Sequence, residues 1–524
     1  MALMRRVYRV LKHIVVGICF VSLASGQSIY LSSPRITESP LFRSAQGTIS
    51  SLPPSNSVSH ISSNNSYLWI GTSKGAALTT NGGKSWLDFR SDPAFARPGI
   101  FAIAVKGDTV WSSTGYSQKV NDSRVQTGTG YAFSVDNGLS WTHRAQPLDE
   151  ADDSLKPYGS NLVSFLPIVV DEQNVTFDIA LSDGFVWIAS WSSGLRRSSD
   201  LGESWERIVL PNDQRNSISP NDSLGRYVVD PRRNNNFLAF SVFVQDHSTI
   251  WAGTAGGVNK STDGGVSWSK FTTLNQQAHI LGNWIIAIKG QQTSSGYRLW
   301  TTNWRADLDP NEQFGISYTD DGGRIWRNLL HGTKAYDFAF RDSITYVATD
   351  DGIYRTADGG LSWTRSGSIV DKNTGQRITS MTVFAVGVVG DTVYCGTGDG
   401  LARTIDSDAH SFGRTWEVLR TYREVGNTET TYAYPNPFSP DDEIVRIHYG
   451  TAGSAASVTV EVFDFGMNRV RTIIKDADRS GSAEHDEIWN GLDDYHRQVA
   501  NGVYFYRVVM NGGDPVWGKI LVLQ

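Results

Sequence analysis

Seven copies of one short phrase leave this chain few architectures to choose from. STDGGVSW, Ser261 to Trp268, returns as TTNGGKSW ending at Trp86, SVDNGLSW at Trp141, SSDLGESW at Trp205, TDDGGRIW at Trp326 and TADGGLSW at Trp363. A worn copy, SFGRTW, ends at Trp416. A second phrase precedes each: LWIGTSKG from Leu68, VWSSTG from Val110, VWIASWSSG from Val186, IWAGTAGG from Ile250, LWTTNW from Leu299, TYVATDDG from Thr345 and VYCGTGDG from Val393. Before most of these stands another apolar run: FAIAV, FDIAL, FLAFSV, WIIAI, YDFAF or TVFAV.

The repeating unit is therefore strand, turn, aromatic-led strand, strand, box turn and short strand. Four antiparallel strands taken seven times predict an all-β chain, a seven-bladed β-propeller. From Trp86 to Trp416 the six intervals average about 55 residues, against roughly 40–50 in compact repeats, so some loops must carry insertions. Box tryptophans together with Trp69, Trp111, Trp187, Trp251 and Trp300 account for most of the 17 in the chain.

Each box reads as turn chemistry. Asn81, Asp136, Asp200, Asp263, Asp321 and Asp358 can accept bonds from backbone N–H groups further along the turn. The following glycines permit positive φ. Trp86, Trp141, Trp205, Trp268, Trp326, Trp363 and Trp416 bury rings between strands or blades. At these residues the sequence resembles the BNR or Asp-box propellers, which implies boxes on the turn between third and fourth strands, away from the ligand-facing centre.

The first 26 residues read as a secretory signal, with Arg5, Arg6, Arg9 and Lys12 ahead of the apolar run Ile14 to Ala24 and small residues before a cut at Gln27. That run is too short to span a bilayer, so no transmembrane helix is expected after cleavage. Loss of those four cations takes the net charge from −6 to −10, which argues against a nucleic-acid partner. Cys19 leaves with the signal. Cys395 then stands alone, without an intramolecular disulfide, as a small hydrophobe on a buried strand.

The expected organisation is signal 1–26, an N-terminal extension 27–55, propeller 56–426, linker 427–433 and a small β-sandwich 434–524. In the last, alternating runs IVRIHY, SVTVEVFDF, RVRTII and GVYFYRVV lie between turn residues. YPNPF at 434–438, VEVFDFGMNRVRTI at 460–473 and IWNGLDDYHRQVANGVYFYRV at 488–508 resemble the flagellar hook-capping-type immunoglobulin-like domain. The same pattern forms the C-terminal sorting domain of type IX secretion. Gly466 keeps that family's pattern, whereas Asp494-Tyr495-His496 replaces a turn that normally carries glycine. The resemblance implies export through the secretion machinery to the surface of a diderm bacterium, or release from it.

Ligand-binding candidates sit in loops. Ser113 to Gly130 carries Tyr116, Lys119 and Arg124; SWSSG carries Trp191; Asn303 to Gly315 carries Trp304, Arg305, Asp307, Asp309 and Glu312. Aromatics beside carboxylates suit a sugar face. Asp307, Asp309 and Asn311 have the alternating oxygens of a calcium loop, but Pro310 intrudes and the glycine is missing, so calcium is a weak expectation; no other cofactor or metal is expected. Asp149, Glu150, Asp152 and Asp153 read as a solvated loop.

Catalytic residues are not selected by the sequence. A sialidase-like Arg-Ile-Pro is lacking, since Arg35-Ile36-Thr37 stands outside the first blade. Xyloglucanase-like enzymes use two propellers, and this chain has length for one. Non-catalytic relatives, the photosystem II assembly factor and sortilin-type receptors, hold protein partners. The expected role is binding an extracellular polysaccharide, glycoprotein or protein; the alternatives are a glycoside hydrolase and a structural envelope component.

Overall fold

The computed structural model describes residues 47–523 apart from 65–66, 96–98, 121–122, 295, 307–309, 379, 422–430, 435, 441–443, 452 and 482–483. Within them, seven antiparallel sheets each hold four consecutive strands, in sequence order from the innermost outward. The innermost strands are Val58–Ser63, Gly99–Lys106, Thr176–Ser182, Ala239–Val244, Trp284–Thr293, Ala335–Arg341 and Val383–Val389. Each lies against the next, and the last returns to the first, closing a seven-bladed β-propeller. Blades 1 and 4 gain a fifth, outermost strand, Thr48–Ser50 and Ser217–Ile218.

The boxes connect third to fourth strands and repeat one set of bonds. In blade 4 the Ser261 hydroxyl donates to Asp263 at 2.8 Å, the Gly265 N–H to Ser261 at 2.8 Å and the Ser267 N–H to Asp263 at 2.8 Å. Equivalent bonds recur around Asn81, Asp136, Asp200, Asp321 and Asp358. The Ser204 hydroxyl and N–H, and then the Ser198 hydroxyl, draw the Asp200 carboxyl down to about 2. These donors hold the charged form.

The box glycine also meets the preceding blade. A Cβ at Gly138 would stand 2.9 Å from Trp69, at Gly202 2.9 Å from Trp111, at Gly265 2.5 Å from Trp187 and at Gly323 2.7 Å from Phe271. Gly360 faces Leu329 at 2.4 Å, and Gly83 of blade 1 faces Leu419 of blade 7 at 2.6 Å. All six have φ between +81° and +96°. Cations tighten the same seams: Arg197 donates to the Gly264 carbonyl at 2.7 Å, Lys260 to Gly322 at 3.0 Å and Arg403 to Gly82.

The worn seventh box departs from the pattern. Asp406, two residues after Thr404, takes no box bonds; it receives the Arg355 guanidinium at 2.6 Å and the Tyr346 hydroxyl. Its turn pins blade 7 to blade 6.

Insertions after blades 2 and 3 meet on the rim as a three-stranded sheet of Leu155–Tyr158, Asn161–Phe165 and Val228–Val229. Asp149 is not a solvated loop acid, as its acidic neighbours suggest. Its side chain is 4% exposed and pairs with Arg196 at 2.9 Å and Arg207 at 3.6 Å, while accepting the Ile168 N–H at 2.9 Å. A buried carboxylate persists only with such partners. Asp153 joins it through Arg207 at 2.8 Å; Glu150 and Asp152 are exposed.

Side chains close the ring. Gly400 and Thr421 donate backbone N–H groups to Asn56 at 2.7 Å each, and the Thr421 hydroxyl reaches the Pro53 carbonyl at 3.0 Å.

Beyond residue 430 a β-sandwich follows. Its sheets are Thr431–Tyr434, Val445–Gly450 and Glu484–Trp489, and Arg469–Arg479, Ala456–Phe463, Gly502–Met510 and Val516–Val522. Val458, Val460, Val508 and Ile520 fill the core with Trp489. In its Asp493 turn, His496 takes φ +59°, the conformation that favours glycine. Arg446 leaves the sandwich to share one oxygen of Asp399, a propeller residue, with Arg420 at 3.0 Å. All three side chains are 3–4% exposed.

Two outcomes follow for stability. Gly265→Ala combines strained φ with a clash against Trp187 and is expected to cost about 1–3 kcal/mol in chemical denaturation. Asp399→Ala strands two buried guanidiniums at a cost of about 3–5 kcal/mol. Calorimetry should then resolve separate propeller and sandwich transitions where the parent shows them coupled.

Candidate functional site

Every innermost strand carries a β-bulge near its start, where its register with the second strand shifts. The shifts fall between Val58 and His60, Ile100 and Ala102, Thr176 and Asp178, Ala239 and Ser241, Ile285 and Ile288, Ala335 and Asp337, and Val383 and Ala385. A bulge bends the strand and re-aims one side chain. In five blades that residue is aromatic: Phe101, Phe177, Phe240, Tyr336 and Phe384.

These rings join into an arc at the end of the channel opposite the boxes. Phe177 meets Phe240 at 5.9 Å, Phe240 meets Trp191 at 5.2 Å and Trp284 at 5.5 Å, and Tyr336 meets Trp304 at 5.3 Å and Phe384 at 5.6 Å. Phe101, Phe240, Trp284 and Trp304 are buried; Phe177, Trp191, Tyr336 and Phe384 keep partly open faces.

Charged groups lie one residue deeper. Asp178 accepts the Val242 N–H of the next blade at 3.0 Å, and Asp337 accepts that of Val386 at 3.1 Å. Lys289 pairs with Asp337 at 2.6 Å and donates to the Phe338 carbonyl at 3.0 Å. Asp178 is half-buried beside the channel. Burial pushes its carboxyl up to about 7, against the pull of the Val242 N–H and Lys289. His60, on blade 1, is brought down to about 4 by burial and then by Lys289. It is neutral at physiological pH.

The sequence candidates divide. Trp191 belongs to the arc and is half-buried. Trp304 is in the arc too, but as packing: it is 2% exposed, donates its indole N–H to the Ala335 carbonyl at 2.8 Å and is covered by the Lys334 ammonium at 4.6 Å. A ring so covered offers no stacking platform. Arg305 is exposed beside it. Glu312 is 3% exposed and ties its loop down by accepting from the Ala306 N–H and from Asn283. Asp307 and Asp309 lie outside the described residues, and the calcium reading with them.

Tyr116 is half-buried on a hairpin, Thr109–Val120 with Ser123–Ser134, where a loop was expected. Paired backbone bonds extend the blade there, and the Gly128 N–H fastens the hairpin to the Asp171 carbonyl at 3.3 Å. Lys119 and Arg124 stand opposite each other in its backbone register. Among the described residues, no cluster of three or more His, Cys, Asp or Glu could hold a metal ion.

Sequence reading missed the arc, although its signal is the leading letter of FAIAV, FDIAL and YDFAF. The charged set gave no motif, because its members come from blades 1, 3, 5 and 6.

No protein-family model matches the chain, and no curated protein matches it. Among solved structures it is similar to PorZ, an essential bacterial surface component of the type-IX secretion system of Porphyromonas gingivalis, at 14% identity and a TM-score of 0.38. That match covers 89% of this chain and 66% of PorZ, just under two thirds of its length. A GH74 enzyme of Niastella koreensis matches at 14% identity and 0.48, over 90% of this chain and 74% of that one. YCF48 bound to D1 peptide matches at 14% and 0.40, over 72% and 100%. The propeller architecture itself is read from the strand order and closed ring above.

Asp178 gives a pH test. Its folded carboxyl binds its proton more tightly than an unfolded one, so it subtracts stability as pH rises from about 4 through about 7. Asp178→Asn keeps an acceptor for Val242. It should raise the melting temperature at pH 8 relative to the parent and leave it unchanged near pH 4.

Proposed function

We propose that this chain is an Asp-box propeller that works outside the cell as a binding module, taking an extracellular glycan, glycoprotein or protein at the channel mouth. One observation carries the reading: an aromatic arc at the channel mouth leaves Trp191 and the bulge residues Phe177, Tyr336 and Phe384 only half-buried. Aromatic faces take sugar C–H faces or apolar side chains and need no catalytic acid.

The channel carboxylates favour binding over hydrolysis. A glycosidase needs two carboxyl groups roughly 5–10 Å apart and free to act. Here Asp178 and Asp337 each hold a backbone N–H of the next blade, and Asp337 holds Lys289 as well. A hydrolase remains the second reading on one specific ground: Asp178, near 7, would carry the proton that a general acid needs.

The export route rests on sequence. The basic-then-apolar leader 1–26 supports passage across an inner membrane. The immunoglobulin-like pattern from 434 supports sorting through type IX machinery. Among the described residues no helix is long and apolar enough to cross a membrane.

The test incubates the chain from Gln27 with plant, algal and bacterial polysaccharides, reading retention and new reducing ends together. Retention without cleavage, weakened about tenfold in Trp191→Ala, is the expected result. New reducing ends that vanish in Asp178→Asn would replace binding by hydrolysis. Silence in both channels would move the ligand to the protein class.

A further inference from the structure

The rim sheet carries apolar residues on both faces, with Lys156 among them on the inner one. In Leu155–Tyr158 and Asn161–Phe165 the inward positions hold Lys156, Tyr158, Val163 and Phe165, while Leu155, Pro157 and Leu162 point to solvent. Lys156 bonds inward to Glu206 at 3.0 Å and to the Arg207 carbonyl. Leu155 is 52% and Leu162 57% exposed, and Leu162 sits directly across from Pro157. Leu148, Val169 and Val170 of the same insertion are also exposed, at 43–51%. An antiparallel sheet with one buried face normally turns polar residues outward. Leu155, Pro157 and Leu162 break that rule together on one face, and an exposed apolar cluster on a folded surface marks an interaction site.

The insertion that carries this face is acidic, and Glu150 to Asp153 lead directly into its first strand. Residues 145–175 carry Asp149, Glu150, Asp152, Asp153, Asp171 and Glu172 against the single cation Lys156. Asp149 is spent on Arg196 and Arg207, and Asp153 on Arg207. Glu150, Asp152 and Glu172 stay exposed, and Arg226 is an exposed cation near Val228. The surface is also rigid. The Tyr158 hydroxyl donates to the Val266 carbonyl of blade 4 at 2.7 Å, and Asn161 donates to the Asp222 carbonyl at 2.8 Å. Preorganisation of this kind lowers the ordering cost of association.

We infer that this rim sheet is a second, separate docking surface, and that its occupant is a basic polypeptide with apolar side chains. Leucines on the partner's side meet Leu155 and Leu162, and its lysines or arginines meet Glu150, Asp152 and Glu172. A second copy of this chain fits poorly, because two-fold pairing sets the same acidic insertion against itself. Pro157 lacks an N–H and blunts the outer edge of the sheet, so the contact is made by the face and not by strand addition.

The experiment uses the full chain and a labelled synthetic peptide of alternating lysine and leucine, followed by fluorescence anisotropy. Binding should fall steeply with salt. It should weaken about tenfold in Leu155→Ser/Leu162→Ser and about tenfold in Glu150→Lys/Asp152→Lys. Leu361→Ser, which removes a leucine 89% exposed on a box turn, should leave it unchanged. Melting temperatures of the variants serve as the folding control. Absence of peptide binding, or equal loss in Leu361→Ser, overturns the inference. So does a parent that sediments as a dimer and becomes monomeric in the double leucine variant, since the occupant is then a second copy.

Discussion

The closed ring depends on a missing atom. Where each box turns, a glycine at positive φ lets the backbone come within a side chain's thickness of the previous blade, and an indole, phenyl or leucine fills the gap. Any Cβ there would push neighbouring blades apart. The Asp or Asn beside it holds the turn in the one shape that presents the glycine, so the box and the seam form a single device. Its cations, Arg197, Lys260 and Arg403, add a bond from one blade to the carbonyl of the next. Six seams use this device; the seventh, where the box has worn away, recruits Asp406, Arg355 and Tyr346 to the same end.

At the other end of the ring, where no box lies, the strands behave differently. Seven bulges break the regular ladder near the channel, and Asp178 and Asp337 each accept a backbone N–H from the innermost strand of the next blade. The aromatic side chains released by the bulges turn toward one another. Blade 1 contributes Ser59 in place of an aromatic, leaving the arc open there. The box end of the ring is thus given to closure, and the aromatic arc lies at the other.

How much of this could be read from the residues varies with range. The boxes were legible because their bonds close within seven residues, and Asp263, Gly265 and Trp268 each declare their role locally. The innermost strands were legible as strands, but the bulge at Phe177 or Tyr336 was not, since a bulge is a relation between two strands. Asp149 read as solvated because its partners, Arg196 and Arg207, stand far along the chain. Trp304 read as a platform for the same reason: Lys334 and Ala335, which cover and bind it, belong to the next blade. Asp399 carries no sequence signal for its pairing with Arg446 of another domain. Charge burial is settled by tertiary neighbours, and alternation in one strand says nothing of them.

Each blade holds its own four consecutive strands, and no strand is lent across the seam between the first and last. Closure joins the box seam of Gly83 and Leu419 to bonds of Asn56, Pro53 and Ser63 with Gly400, Thr421 and Val388. A chain that emerges amino end first therefore keeps the flank of its opening blade bare until nearly the whole propeller has followed. Val58 and Ile61, which pack with Ala385 and Tyr394 in the finished ring, must wait in water or in the care of another protein. The ring is thus a structure whose first blade finds its last neighbour only late in synthesis.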